Sequence, residues 1–268
     1  MAISIQIEDK SYRVEPDSAL DISIPLRFNG DQPNAYDVEK ATSKPVEAGE
    51  LVGDTRLGGS VNFEQYKFIP HCNGTHTECI GHITNDRISI RECLMDAFIP
   101  ATLISLIPVG FAESEDNYSP EFGDQDKLIT RDSIEHLVPE IQYDEALIIR
   151  TLPNNVSKLN QQYGEYIPPF FSNEAMELII DLGVKHMLVD LPSIDRIFDG
   201  GALTNHRRFW NVEDGKFEIN ENSRTGSTIT ELIYVPDEIK DGKYLLNLQI
   251  AAFESDASPS RPLLFKLK

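Results

Sequence analysis

A mixed α/β fold, mostly β in its core with helices outside, is what three observations in this sequence predict. Short alternating or apolar runs recur towards both ends of the chain, as strands do. Residues 146–191 read as strand, helix, strand, the pattern of a βαβ crossover. The composition is 40% hydrophobic and 25% charged over 268 residues, which suits a globular chain with a substantial core.

Taken in order, Ile3 to Ile7 and Tyr12 to Val14 alternate as two strands, and Asp21 to Leu26 reads as a third, followed by a turn at Asn29-Gly30-Asp31. Residues 31–50 are polar and without period, an excursion over the surface. Val61 to Pro70 has a strong strand pattern, and Thr102 to Val109 reads as a buried strand. Residues 112–127 are acidic and loop-like. Thr130 caps a short helix through Leu137 that Pro139 ends. Ala146 to Arg150 is a continuous apolar strand. Ser172 caps a second helix with an apolar stripe of Ala175, Met176, Leu178, Ile179 and Leu182, and Gly183 stops it. Val184 to Leu191, 228–235 and 244–253 supply the remaining strands. No linker composition divides the chain, so residues 1–268 are expected to form one domain.

Charge narrows the function. Lys and Arg total 24 against 44 Asp and Glu, a net charge of −20. A chain this acidic repels phosphate backbones and anionic bilayers, which argues against nucleic-acid and membrane partners. No apolar run reaches the ~18 residues of a membrane span, and the N-terminus lacks a signal-peptide pattern, so a cytoplasmic location is expected. Three cysteines do not make a disulfide framework.

The densest chemistry lies in His71-Cys72-Asn73-Gly74-Thr75-His76-Thr77-Glu78-Cys79-Ile80-Gly81-His82. In an extended segment, side chains two apart share a face. Cys72, His76, Glu78 and His82 all have even parity, so one face presents four groups that bind divalent metals or move protons. His71 has the wrong parity unless Gly74 marks a bulge. Gly74 itself is placed where backbone bends or closely approaches something. Cys79 and Cys93 read as small buried residues, and His136 and His186 carry no assigned role.

Cys72 to His82 resembles the signature of the cyclase family of metal-dependent hydrolases, His-x-Gly-Thr-His-x-Asp-x-Pro-x-His, with Cys72, Glu78 and Ile80 as departures. The likeness extends through Asp21 to Asp31, Leu147 to Thr151, Gly183 to Asp195, Asn205 to Phe209, Ile229 to Leu232 and Ala257 to Pro262. It implies a swivelling β/β/α domain, a homodimer or tetramer, and a small-molecule substrate. It also implies a site gathered from distant segments: Cys72, His76, Glu78, His206 and Glu231 as metal ligands and His82 as the proton-shuttling catalyst. The metal would be zinc, one or two ions with Glu78 bridging a pair, or manganese. The implied reaction is hydrolysis of a C–N bond in a small amide by metal-activated water, arylformamidase-like, with N-formylkynurenine as the named type. The alternatives are hydrolysis of a cyclic amide or lactone, as in isatin-hydrolase-like members, and a degenerate member that binds metal or ligand without turnover. Phe28 stands where kynurenine-formamidase-like members carry an aromatic, though packing is its simpler role, as it is for Trp210. Arg207 and Arg208 are candidates to pair with a substrate carboxylate. Residues 211–227 look like a surface insertion near the pocket mouth, and loops 31–50, 112–127 and 211–227 are where specificity is expected.

Overall fold

The computed structural model describes residues 2–7, 9–120, 123–137, 145–164 and 166–268. A hairpin of β1 (Ile3–Ile7) and β2 (Lys10–Val14) opens the chain. There follow β3 (Leu20–Asp21), β4 (Thr42–Pro45), β5 (Glu47–Ala48), β6 (Leu51–Val52), β7 (Glu64–Lys67) and helix α1 (Pro70–Asn73). Next come β8 (His76–Cys79), α2 (Ile90–Cys93), β9 (Phe98–Leu106), β10 (Val109–Gly110), β11 (Lys127–Ile129), α3 (Arg131–Glu135), β12 (Ala146–Thr151) and β13 (Phe170–Phe171). The chain closes with α4 (Asn173–Asp181), β14 (His186–Val189), α5 (Thr204–Trp210), β15 (Thr228–Glu231), β16 (Gly242–Asn247), β17 (Ala257–Pro259) and β18 (Leu263–Lys266).

A nine-stranded sheet, ordered β17-β8-β15-β14-β12-β9-β16-β18-β3, organises these elements. Its centre, β9, β12, β14 and β15, is parallel, and β8 joins β15 antiparallel. Residues alternate across a strand, so β12 sends Leu147 and Ile149 to one apolar layer and Ala146 and Ile148 to the other. Burial on both faces explains why these strands read as unbroken apolar runs. Helix α4 lays Ala175, Met176, Leu178 and Ile179 into the first layer. The second layer is closed by Ile233, Val235 and Ile239 and by the curl of the sheet itself. Ser172 caps α4 by accepting the Ala175 N–H, and Thr130 caps α3 in a reciprocal pair with Ser133. The expected stop at Pro139 lies outside the described residues.

Several elements differ from the sequence expectation. The strand begun near Asp21 ends there, and Ser23 makes only an isolated bridge to Ile233. Val61 to Pro70 is a strand only over Glu64–Lys67, because Pro70 starts a helical turn instead of prolonging the strand. Residues 31–50 are no simple surface excursion: Gln32, Asn34 and Ala35 are buried, and β4 and β5 lie within the segment. The strand after Thr228 stops at Glu231, where Leu232 takes a left-handed φ of 55°.

His186 carries a testable consequence of this packing. Its ring is fully buried, with Nδ1 2.9 Å from Thr228 Oγ1 and Nε2 3.3 Å from Asp96 Oδ2. Burial pushes its pKa down to about 4, against the pull of Asp96. An unfolded chain takes up that proton near pH ~6.5, while the folded chain resists until about 4. Stability is therefore lost as pH falls from ~6.5 towards 4, by up to ~3 kcal/mol from this residue. In urea titrations at pH 7, 5.5 and 4, His186→Gln loses less stability than the parent over that window. Parallel losses would assign the acid lability to other groups.

Candidate active site

The site begins with strand β8. His76 and Glu78 project to one face, and the register sets His76 opposite Glu231 on β15. On the other face, Thr77 Oγ1 bonds Thr230 Oγ1 at 2.8 Å and Ser260 Oγ at 2.9 Å. Thr75 is buried between strands, where its hydroxyl accepts the Ile24 N–H and donates to the Leu232 carbonyl. After β8 a single 3₁₀ turn, Ile80–His82, swings His82 over the same face. Gly81 permits that turn, since a Cβ there would sit 2.0 Å from the Ile88 carbonyl oxygen. Gly74, by contrast, is extended and buried, and a Cβ there would only touch the Ile24 carbonyl oxygen and Leu26 at 3.4 Å.

Helix α5 supplies His206 from below. Its first turn is capped from a distance: Asp195 Oδ1 accepts the Asn205 N–H and Asp195 Oδ2 accepts the His206 N–H. The same Oδ2 lies 2.6 Å from His206 Nδ1, which leaves Nε2 facing Glu78 Oε1 at 3.0 Å and Glu231 Oε1 at 3.8 Å. A carboxylate behind an imidazole is how metal-ligating histidines are commonly oriented. Burial opposes charge on His206, but Asp195 and Glu78 outweigh it and hold the ring well above the ordinary imidazole range. Glu78 is fully buried too. The charges of His82, His206 and His71 overcome that burial and keep its carboxyl well below the usual range.

His71 joins this group and Cys72 does not. His71 Nδ1 lies 2.9 Å from Glu78 Oε2, off the line a hydrogen bond needs, and Nε2 lies 2.9 Å from Asp256 Oδ2. Burial is outweighed by these two carboxylates, which hold His71 up at about 10. Cys72 packs instead among Ile24, Ala35, Tyr163, Ile197 and Leu232. Burial and the Glu231 charge push its thiol up to about 12. The reason is local: residues 70–73 form a helical turn, in which neighbours diverge by ~100°, so parity counted along a strand fails here.

Two atoms show that the residues suit a cation. His76 Nδ1 faces the Gly74 carbonyl at 3.1 Å, an oxygen that only accepts, so Nδ1 carries the proton. His76 Nε2 is then left buried and unpartnered, 3.5 Å from Glu231 Oε2, and Glu78 Oε2 likewise has no aligned partner. Buried polar atoms ordinarily find partners, and a cation held between these groups would supply one. Ligand atoms of His71, His76 and Glu78 lie within 4.8 Å of one another, as do those of Glu78, His82 and His206.

A cavity of 590 Å³ opens over these groups, lined by Tyr36, His71, Glu78, His82, His206 and Glu231 and by residues of the 192–203 segment. His82 has Nδ1 3.1 Å from Asp256 Oδ2 and Nε2 3.9 Å from Glu78 Oε2. Three non-glycine residues with positive φ flank the site: Tyr36 at 60°, Leu203 at 50° and Leu232 at 55°. Such backbone costs of order 1–3 kcal/mol each and persists where surrounding structure enforces it. Asp37, at 52°, sits against Gly164, whose missing Cβ makes room for the Asp37 carboxylate.

Tyr36, His71, Asp195 and Asp256 are the site residues that sequence reasoning passed over or set aside. Only His71 had a usable signal, the bulge alternative, although it is a helical turn that turns it inward. Other expected contributors stand elsewhere. Arg207 donates to the carbonyls of Ala202, Glu213 and Lys216, and Arg208 pairs with Glu177 at the surface. Trp210 is buried with Nε1 bonded to the Ser227 carbonyl, and Phe28 packs on Tyr66 and Phe68. Of the three loops expected to set specificity, 31–50 contributes Tyr36, whereas 112–127 and 211–227 contribute none of the cavity's described lining.

Comparison with known proteins agrees with this architecture. The Cyclase family model matches residues 9–196. A kynurenine formamidase of Bacillus cytotoxicus is 25% identical over 255 residues, covering 91% of this chain and 96% of that enzyme. A kynurenine formamidase of Bacillus cereus is 24% identical over the same shares. Among solved structures, isatin hydrolase A from Labrenzia aggregata superposes with a TM-score of 0.61 at 14% identity, over 93% of this chain and 94% of that one. A protein from Bacillus stearothermophilus described as a predicted metal-dependent hydrolase gives 0.61 at 18% identity, over 92% and 98%. Among the described residues, no helix is long and apolar enough to cross a membrane.

Proposed function

The chain belongs to the cyclase family, and from that premise we propose that it hydrolyses the C–N bond of a small aryl amide of the N-formyl type, with a divalent metal, zinc or alternatively manganese, as cofactor. The observation that carries this reading is that ligand atoms of His71, His76 and Glu78, and of Glu78, His82 and His206, converge beside a cavity that Glu231 also lines, with His76 Nε2 and Glu78 Oε2 unpartnered. His71, His76, Glu78, His206 and Glu231 would hold the metal. When bound, it supplies Lewis acidity to the amide carbonyl and makes water a nucleophile near neutral pH.

The protein's own groups supply the rest. Asp195 fixes the His206 ring so that Nε2 faces the cavity. The Ile194 N–H donates to Glu231 Oε1 at 3.0 Å and fixes that carboxylate's rotation. Asp256 holds His82 by Nδ1, which leaves Nε2 free to carry a proton to the departing nitrogen. The apolar wall of Pro192, Ile197 and Leu203 accommodates an aromatic ring.

Elemental analysis and turnover test this directly. The purified protein is expected to hold one or two equivalents of zinc or manganese and to release formate from an N-formyl aryl amide. Chelation abolishes the release, and zinc or manganese restores it. Metal-loaded protein that opens a cyclic amide or lactone instead would move the substrate to that class. Protein that binds metal but turns over neither would be a non-catalytic member, and protein that binds no metal would refute the reading.

A further inference from the structure

Resting on the hydrolase reading, we propose that the cavity discriminates by charge: it admits aromatic amides that are uncharged beside the scissile bond and rejects those carrying a carboxylate there. Glu78, Glu231 and Asp199 line the cavity, and Asp195 and Asp256 stand directly behind its histidines. Among the described residues lining it there is no lysine or arginine. Arg207 and Arg208, the cations nearest in sequence to a ligand residue, are tied to backbone carbonyls and to Glu177. Asp199 is occupied by the backbone, with Oδ1 accepting the Gly201 N–H and Oδ2 the Leu203 N–H, so no side-chain cation offsets its charge.

Three carboxylates thus line the cavity, and the imidazoles of His71, His82 and His206 are already paired with Glu78, Asp256 and Asp195, which leaves Asp199 without a cationic partner. A substrate carboxylate entering this space meets like charge, and no guanidinium or ammonium in the described lining is there to pair with it. The rest of the wall is apolar, formed by Pro192, Ile197, Phe198 and Leu203. Tyr36 adds a phenol bonded to Ser193, and burial followed by the Glu231 charge keeps that phenol protonated. It offers a neutral donor rather than a positive one. Charge opposition of this kind is a recognised means of excluding a wrong partner.

The test compares formanilide with 2-formamidobenzoate as substrates, and acetanilide with 2-acetamidobenzoate as binding probes by calorimetry, all on the metal-loaded protein. Formanilide is expected to have a kcat/KM at least ~10-fold above the carboxylate, a ratio that shrinks as salt screens the site. Acetanilide binds correspondingly tighter. Phe198→Arg places a cation at the half-exposed mouth and brings both ratios to within about threefold. Equal or reversed preference in the parent overturns the proposal. If neither formamide is hydrolysed, the hydrolase reading fails, while the binding ratio still decides the charge selectivity.

Discussion

His71→Ala strips at least one equivalent of divalent metal and lowers amide hydrolysis ~100-fold or more, whereas Cys72→Ala keeps both. The expectation follows from the two side chains' surroundings. His71 sits with its ring between Glu78 and Asp256, its Nδ1 2.9 Å from Glu78 Oε2. Cys72 lies in an apolar cluster and is not part of the cavity's lining. Loss of even an indirect support of a metal ligand costs ~10–100-fold in affinity or activity, so loss of a direct ligand is expected to exceed that. Cys72→Ala removes one buried sulfur and costs stability of order 1 kcal/mol through the cavity left behind. Inductively coupled plasma analysis of the two variants, alongside denaturation midpoints, separates the outcomes. Metal lost from Cys72→Ala and retained by His71→Ala would return the ligand slot to the cysteine.

His82→Ala lowers kcat by ~10²–10⁴ and leaves metal content unchanged. A positioned proton carrier contributes on that scale, and His82 Nε2, 3.9 Å from Glu78 Oε2, stands farther from that carboxylate than His71 at 2.9 Å or His206 at 3.0 Å. Asp256→Asn makes a smaller change, ~10–100-fold, because the amide still contacts the ring but no longer holds it by charge. KM should move little in either variant. Depletion of metal in His82→Ala would make it a ligand and leave the proton transfer to another group.

The central strands and α4 were legible in the sequence because burial imposes a pattern there: β12 is apolar from Ala146 to Ile149, and α4 carries its stripe between Ser172 and Gly183. His76 and Glu78 were legible for a related reason, since β8 is truly extended and period two holds along it. The same counting failed four residues earlier, where Pro70 starts a helical turn. Asp195 and Asp256 had no local signal. Each acts on a histidine 11 or more positions away, Asp256 across 174 and 185 residues to His82 and His71. Tyr36 was hidden in a polar stretch, and what makes it a wall of the cavity is a left-handed backbone that side-chain patterns do not record.

The position of β8 between β15 and β17 also sets a clock. Thr77 bonds Thr230 and Ser260, 153 and 183 positions later in the chain. During synthesis at ~5–20 residues per second, roughly 8–30 s separate the emergence of Glu78 from that of Glu231. Throughout that interval the strand bearing His76 and Glu78 has neither sheet neighbour. Closing such long loops is a slow step. A metal ion arriving early finds a disordered pair of side chains, and the site assembles only once nearly the whole sheet has closed around it.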